Sequence, residues 1–155
     1  MATQHPSTAR EVASLLSDAP VDEARSLVER YAEDPRKQVR HAVEVARRRI
    51  ARSDAERDRV LGMYRTMREL GGPGIVLGVD EVGRGALAGP LTVAAVALPD
   101  DPVIWGVNDS KQLTPARREA LAARIAEVAC AIGIAHVEPA TIDAVGMGVA
   151  LRRAM

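Results

Sequence analysis

This sequence has a single cysteine, Cys130, and so cannot form an internal disulfide. That excludes a disulfide-stapled secreted scaffold and is compatible with a reducing cytosol. It has no apolar run approaching the ~20 residues that a membrane-spanning helix needs. Its N-terminal stretch is too charged for a signal peptide. A cytoplasmic location with no membrane partner is the expectation. Net charge is absent as well, because 21 Lys and Arg balance 21 Asp and Glu. A nucleic-acid partner therefore cannot be argued from the sum, only from how the charge is distributed. At 155 residues one domain is the default, with room for a second, small helical piece.

The distribution is uneven. Residues 1–34 carry three Arg against seven acids, residues 35–70 eleven Lys/Arg against five, and residues 71–155 seven against nine. The middle segment is thus net +6 between neighbours of −4 and −2. A basic segment between acidic ones can be a nucleic-acid-facing surface or simply a solvated, arginine-rich helix face.

Residues 1–70 read as all-helical. Thr8-Ala9-Arg10-Glu11 and Ser53-Asp54-Ala55-Glu56 both have the capping-box form. Asp34-Pro35 offers a further cap with proline in the first turn. Apolar residues recur at helical spacing in three sets: Ala24, Leu27, Val28 and Tyr31, then Val39, Val43, Ala46 and Ile50, then Val60, Tyr64 and Met67. These are packing faces rather than ligand sites. Gly71-Gly72-Pro73-Gly74 ends the helical region. Beyond it, Ile75–Asp80 and Leu91–Leu98 read as strands and Pro115–Val128 as a helix capped by Thr114. Ala129–Val137 reads as a third strand and Pro139–Met155 as the start of another helix.

The stretch that carries chemistry is Gly78-Val79-Asp80-Glu81-Val82-Gly83-Arg84-Gly85-Ala86-Leu87-Ala88-Gly89-Pro90. Adjacent carboxylates leaving a strand can hold a divalent metal, and a glycine-flanked arginine lets bare backbone approach a polyanion. Taken alone, the pair reads equally as a solvated turn. The dinucleotide fingerprint does not fit, because the glycine spacing is one residue too long and β-rich Leu91–Leu98 follows instead of a helix. A second block, Asn108-Asp109-Ser110-Lys111-Gln112-Leu113-Thr114, gathers hydroxyl, amide and ammonium donors before a helix start, which suits a phosphate. It is also ordinary turn chemistry.

Together the two blocks resemble ribonuclease HII, the type 2 ribonuclease H of bacteria. That family carries an Asp-Glu-Val-Gly-Arg-Gly loop running into Leu-Ala-Gly-Pro, then a strand, then Asn-Asp-Ser-Lys before a helix. All stand here in order, over about Ile75 to Met155. Ile142-Asp143 with Arg152-Arg153-Ala154-Met155 resembles the family's next helix. Upstream, Asp34-Pro35-Arg36-Lys37 and the stretch from Tyr64 to Leu70 look like the N-terminal extension of some members. Gly146 departs from the Asn often found there and is assigned no role.

The resemblance implies an α/β protein: the N-terminal part of a ribonuclease H-like fold, with a mixed sheet and helices over 75–155. A small all-helical extension over 1–70 precedes it. It implies an endonuclease that cleaves RNA in RNA–DNA hybrids and at ribonucleotides embedded in duplex DNA, a place in DNA replication and repair, and a monomer at full length. Asp80 and Glu81 would be the catalytic, metal-holding carboxylates, with Mg²⁺ or Mn²⁺ as cofactor. The backbone of Gly83, Arg84 and Gly85 would read the 2′-hydroxyl, the group that separates RNA from DNA. Asn108, Ser110 and Lys111 would seat phosphates. Since neighbouring strand residues project to opposite faces, Asp80 and Glu81 share an ion only if the backbone bends there, a bend that Gly83 and Gly85 permit. The family completes a four-acid site with two downstream carboxylates and uses a downstream tyrosine. The final helical stretch closes with no glycine cap, so the expectation is an N-terminal portion that is inactive alone. Two other classes stay open: a non-catalytic nucleic-acid-binding fragment and a nucleotide-phosphate-binding module. Metal-dependent cleavage excludes the first, and nucleotide-induced thermal stabilisation would support the second.

Overall fold

A computed structural model describes residues 8–86 and 88–155. The chain divides into two compact units, one ending at Arg59 and the other spanning Val60–Met155. The division falls inside one long helix.

The first unit holds α1 (Ala9–Asp18), α2 (Val21–Arg30) and most of α3 (Lys37–Gly71). The expected capping box at the first helix is present. The Thr8 hydroxyl accepts from the Glu11 N–H at 3.3 Å, and the Glu11 carboxylate accepts from the Thr8 N–H at 3.0 Å. Two orphan donors of the first turn are satisfied reciprocally. The stripes anticipated on α2 and α3 are the core: Ala24 and Val39 are fully buried, and Val43 and Ala46 nearly so. Val12 and Leu16 of α1 close it from the other side. Burying a Val or Leu side chain contributes about 1.5–3 kcal/mol, so this small cluster carries most of what holds the three helices together.

Two expected helix starts are not starts. Ser53–Glu56 lies within α3, which runs 35 residues without interruption. A capping box needs a break in helical backbone at its first residue, and good helix formers on both sides leave no reason for one. Asp54 binds Arg25 of α2 instead, and Glu56 binds Arg59. Asp34-Pro35 does not cap α3 either. The Asp34 carboxylate accepts from the N–H and the guanidinium of Arg36 two residues on, and the carbonyl of Arg36 accepts the first bond of α3. The helix ends at Gly71 as anticipated.

The second unit is a three-stranded antiparallel sheet in the order β1-β2-β3, with β1 (Gly78–Val82), β2 (Leu91–Ala97) and β3 (Ala131–Val137). Around it lie α4 (Pro115–Val128), α5 (Pro139–Val145) and α6 (Met147–Ala154). The α/β class is as anticipated, and every strand pair among the described residues is antiparallel. The core gathers Leu91, Val93 and Ala97 of β2, Ala150 of α6, Leu121 of α4 and Ile104. Tyr64 belongs to this core through its hydroxyl, which accepts from the buried Ile104 N–H at 3.0 Å. Alternation along β2 fixes the covered face: Leu91 and Val93 are buried while Thr92 and Ala94 between them are partly open.

Helix α4 has the limits its sequence signals. The Thr114 hydroxyl accepts from the Arg117 N–H, and Pro115 occupies the first turn. The strand β1, however, begins three residues later than its apolar run. Register sets its window, since Gly78 pairs with Val96 and β2 ends at Ala97, two residues before Pro99. Ile75 and Leu77 therefore stay outside the ladder, exposed. The last helix is also two helices. Gly146 sits at φ +82°, a conformation that breaks α-helical continuity and that side-chain-bearing residues rarely adopt, so α5 stops and α6 starts there.

Candidate active site

The carboxylate pair lies within β1 rather than beyond its end. Asp80 pairs with Ala94 and Glu81 with the buried Val93, and the ladder continues to Val82 opposite Thr92. Directly opposite residues share a face, so Asp80 lies on the open face of the sheet and Glu81 on the covered one. The expected backbone bend between them is absent; the chain turns only after Val82. Asp80 is exposed, and its Oδ1 accepts from the Glu81 N–H at 2.9 Å. No cation contacts its carboxylate among the described residues. Glu81 is more sheltered, its side chain 21% exposed, and it receives the Arg84 guanidinium at 3.4 Å.

The turn that follows is tight because of one glycine. Gly83 has φ +92°, and a Cβ there would sit 2.2 Å from the carbonyl oxygen of Pro90. The chain passes so close to the start of β2 that only a hydrogen fits. Its carbonyl accepts from the Ala86 N–H at 3.1 Å, closing a turn with Arg84 and Gly85 at the corner. The N–H groups of Arg84 and Gly85 donate to no protein acceptor among the described residues. A Cβ on Gly85 would meet nothing within 4 Å. The corner thus presents two free donors and open space, with a guanidinium beside them. An anion or a sugar hydroxyl fits such a corner.

The second block is a 3-10 turn, Ser110–Gln112, leading to α4. Asp109 caps it by accepting from the Lys111 N–H at 2.9 Å. Asn108 braces it: its carbonyl oxygen accepts from the Asp109 N–H at 2.9 Å and its amide donates to Gln112 at 3.0 Å. Arg118, which carries no motif signal, donates to the carbonyls of Ser110 and Leu113 at 3.2 and 2.9 Å and so ties the turn to α4. Ser110 and Lys111 are exposed, and neither side chain is held by a protein partner among the described residues. The structure therefore divides the block into residues whose side chains shape the turn, Asn108 and Asp109, and residues whose side chains no protein partner holds among the described residues, Ser110 and Lys111. No hydrogen bond or ion pair joins this turn to the Glu81–Arg84 loop among the described residues.

As metal ligands, Asp80 and Glu81 fit a divalent ion by chemistry, since hard oxygen donors suit Mg²⁺ and Mn²⁺. They do not form a complete centre. No three of His, Cys, Asp and Glu converge among the described residues.

The model of the family described as Ribonuclease HII matches residues 77–155, and that of the Ribonuclease HII N-terminal domain matches residues 8–70. The chain belongs to the ribonuclease HII family. Ribonuclease HII of Geobacillus kaustophilus is 41% identical over 150 residues, covering 96% of this chain and 57% of that protein. Ribonuclease HII of Moorella thermoacetica is 48% identical over 105 residues, covering 66% of this chain and 51% of that one. The crystal structure of the ribonuclease H2 from Pyrococcus horikoshii OT3 is similar over 45% of this chain and 35% of its own, at 37% identity and TM-score 0.41. The chain thus spans between half and three fifths of the length of these two relatives. No helix among the described residues is long and apolar enough to cross a membrane.

Proposed function

We propose that this chain supplies the substrate-reading loop and the first two carboxylates of a metal-dependent endonuclease. Its substrates are RNA in RNA–DNA hybrids and single ribonucleotides embedded in duplex DNA. The observation that carries this reading is the corner at Arg84-Gly85, four and five residues after the exposed Asp80, where two N–H donors without a protein acceptor among the described residues face an unfilled approach. Duplex DNA offers phosphates to such a corner, but only a ribonucleotide adds the 2′-hydroxyl that a bare backbone can approach and hydrogen-bond. Gly83 holds the corner in place by its close pass under Pro90, and Arg84, paired with Glu81, adds positive charge at the scissile side. Ser110 and Lys111 bind phosphate on a turn that Asn108, Asp109 and Arg118 keep rigid.

Asp80 would hold Mg²⁺ or Mn²⁺ with further ligands from outside the described acids, and Glu81, on the other face of β1, would join it only if the backbone bends there when the metal binds. The ion's contribution is to activate water and to stabilise the leaving 3′ oxygen. The test joins this chain to the C-terminal segment of the Geobacillus relative and assays a duplex containing one ribonucleotide. Metal-dependent cutting at the ribonucleotide, with an all-DNA control untouched, is expected. Equal cutting of both duplexes sinks the reading.

A further inference from the structure

Within the first unit, α3 turns two unlike faces to its surroundings. Val39, Val43, Ala46 and Ile50 form the buried stripe, all 9% exposed or less. At 3.6 residues per turn the opposite arc carries Lys37, His41, Arg48 and Arg52, all exposed, with the exposed Arg40 and Arg47 along its flank. The arc from Lys37 to Arg52 extends about 22 Å at 1.5 Å per residue. Residues 36–52 contain seven Lys and Arg and one carboxylate, Glu44. The ion pairs already present use up only part of this charge. Arg36 is held by Asp34, Arg47 by Glu44, and Arg49 by main-chain carbonyls. No carboxylate pairs with Lys37, Arg40, Arg48 or Arg52 among the described residues. A shallow cleft of about 360 Å³ opens at the flank of this arc, lined by Lys37, Arg40, His41 and Arg47 and also by Ala32 and the buried Val43.

The arrangement is unfavourable for the helix alone. Lys37 and Arg40, like Arg48 and Arg52, are like charges at helical-neighbour spacing and repel each other. The first turn of α3 contains no acid, and Lys37 stands there against the helix dipole, whereas α1 and α2 place Glu11, Asp22 and Glu23 in their first turns. An anionic partner would remove both penalties. We propose that this arc docks on the phosphate backbone of duplex nucleic acid. It has no Phe, Tyr or Trp on which successive unstacked bases could lie, so it fits a duplex better than a single strand. Val45 is the one exposed large hydrophobic between residues 37 and 59, so this part of the helix has no apolar edge to sink into a lipid surface. The choice of nucleic acid as polyanion rests on the function proposed above, but the test needs neither metal nor cleavage.

The experiment measures binding of the 155-residue chain to a short fluorescent all-DNA duplex in EDTA, across a salt titration. The variant Lys37→Ala/Arg40→Ala/Arg48→Ala/Arg52→Ala is expected to reduce the magnitude of the slope of log K against log salt by about 3.6 and to weaken low-salt binding at least about tenfold. Replacing Arg40, Arg48 and Arg52 by Lys should keep the slope. The variant Arg10→Ala/Arg30→Ala, exposed arginines off the arc, should leave binding unchanged. Should the alanine variant lose its helical circular dichroism, Arg48→Gln/Arg52→Gln carries the test with a slope loss of about 2. An unchanged slope overturns the proposal, as does an equal loss in the Arg10/Arg30 variant. Binding to phosphatidylserine vesicles in place of duplex also overturns it and assigns the arc to an anionic lipid surface. If the slope falls as expected while Asp80 proves dispensable for cleavage, the arc stands and the catalytic assignment fails.

Discussion

Gly83 and Gly85 are two residues apart in one motif, yet they answer to different constraints. Gly83 is demanded by the chain itself, through its φ of +92° and the Pro90 carbonyl oxygen that an added Cβ would meet at 2.2 Å. Gly83→Ala should cost about 2 kcal/mol or more in unfolding free energy, measured by denaturant titration. Gly85 has no such constraint, with nothing within 4 Å of an added methyl. Gly85→Ala should leave stability within about 0.5 kcal/mol of the parent. In the completed enzyme it should nonetheless weaken cutting at a ribonucleotide, because the methyl occupies the space the sugar needs. Equal stability losses at both glycines would refute this division. Asp34 is a second residue whose environment sets its behaviour. The Arg36 guanidinium hydrogen-bonded to it holds its carboxyl down to about 2. A carboxyl depressed in the folded state stabilises above its ordinary range near 4, and that contribution is lost as pH falls through about 2. The melting temperature of the parent should therefore exceed that of Asp34→Asn at pH 5, and the gap should close between about pH 4 and pH 2. A gap that stays constant over that window would mean that the ion pair contributes nothing.

Among the elements, α3 shows best what pattern reading captures and what it misses. Its apolar stripe is legible because helical spacing is a local property, and the stripe is buried as expected. Its continuity through Ser53 is not legible, because a capping box and a mid-helix Ser-x-x-Glu look alike until packing decides between them. Arg49 is the sharper case. Among three consecutive arginines it alone turns inward, donating to the carbonyls of Ser17, Leu16 and Ala19 at 2.6, 3.1 and 2.8 Å. Those carbonyls belong to the end of α1, where a helix leaves acceptors unsatisfied and a cation complements the dipole. Arg49→Met should destabilise the first unit by about 2–3 kcal/mol in a thermal or denaturant melt, as expected for charge-assisted hydrogen bonds. The same change at the exposed Arg48 should cost under about 0.5 kcal/mol. Comparable losses at both positions would mean that the inward bonds are worth no more than surface contacts.

For the molecule entire, the decisive quantity is the number of acids that can reach one ion. Mg²⁺ requires near-octahedral oxygen ligation and keeps its waters unless ligands are fixed around it. Two-ion catalysis needs the ions held about 3.5–4 Å apart. Asp80 and Glu81 leave β1 toward opposite faces, and no third acid joins them among the described residues. The 155 residues alone should therefore show no metal-dependent cleavage of a ribonucleotide-containing duplex, while the chain joined to a relative's C-terminal segment should cut it. Within that completed enzyme, Asp80→Asn should lower turnover by several orders of magnitude and leave duplex binding intact. Lys111→Ala should instead reduce the salt slope of binding by about 0.9, one phosphate contact. Robust turnover by the 155 residues alone, abolished by Asp80→Asn, would falsify the ligand count.

Local chemistry was readable directly from residue order. Thr8 and Thr114 as caps, Pro115 in a first turn, the stop at Gly71 and the Asp80-to-Gly85 motif all depend on neighbours a few positions away. Family membership follows from the same order of residues. Which strand residues pair, and hence where β1 begins and to which face each carboxylate points, depended on the length and register of β2, which approaches only after folding. The same holds for Arg49, whose guanidinium is taken up by carbonyls at the end of α1, thirty or more residues away. A side chain's type is set by the sequence, but whether it remains free for a ligand is set by the acceptors that tertiary contact places within its reach.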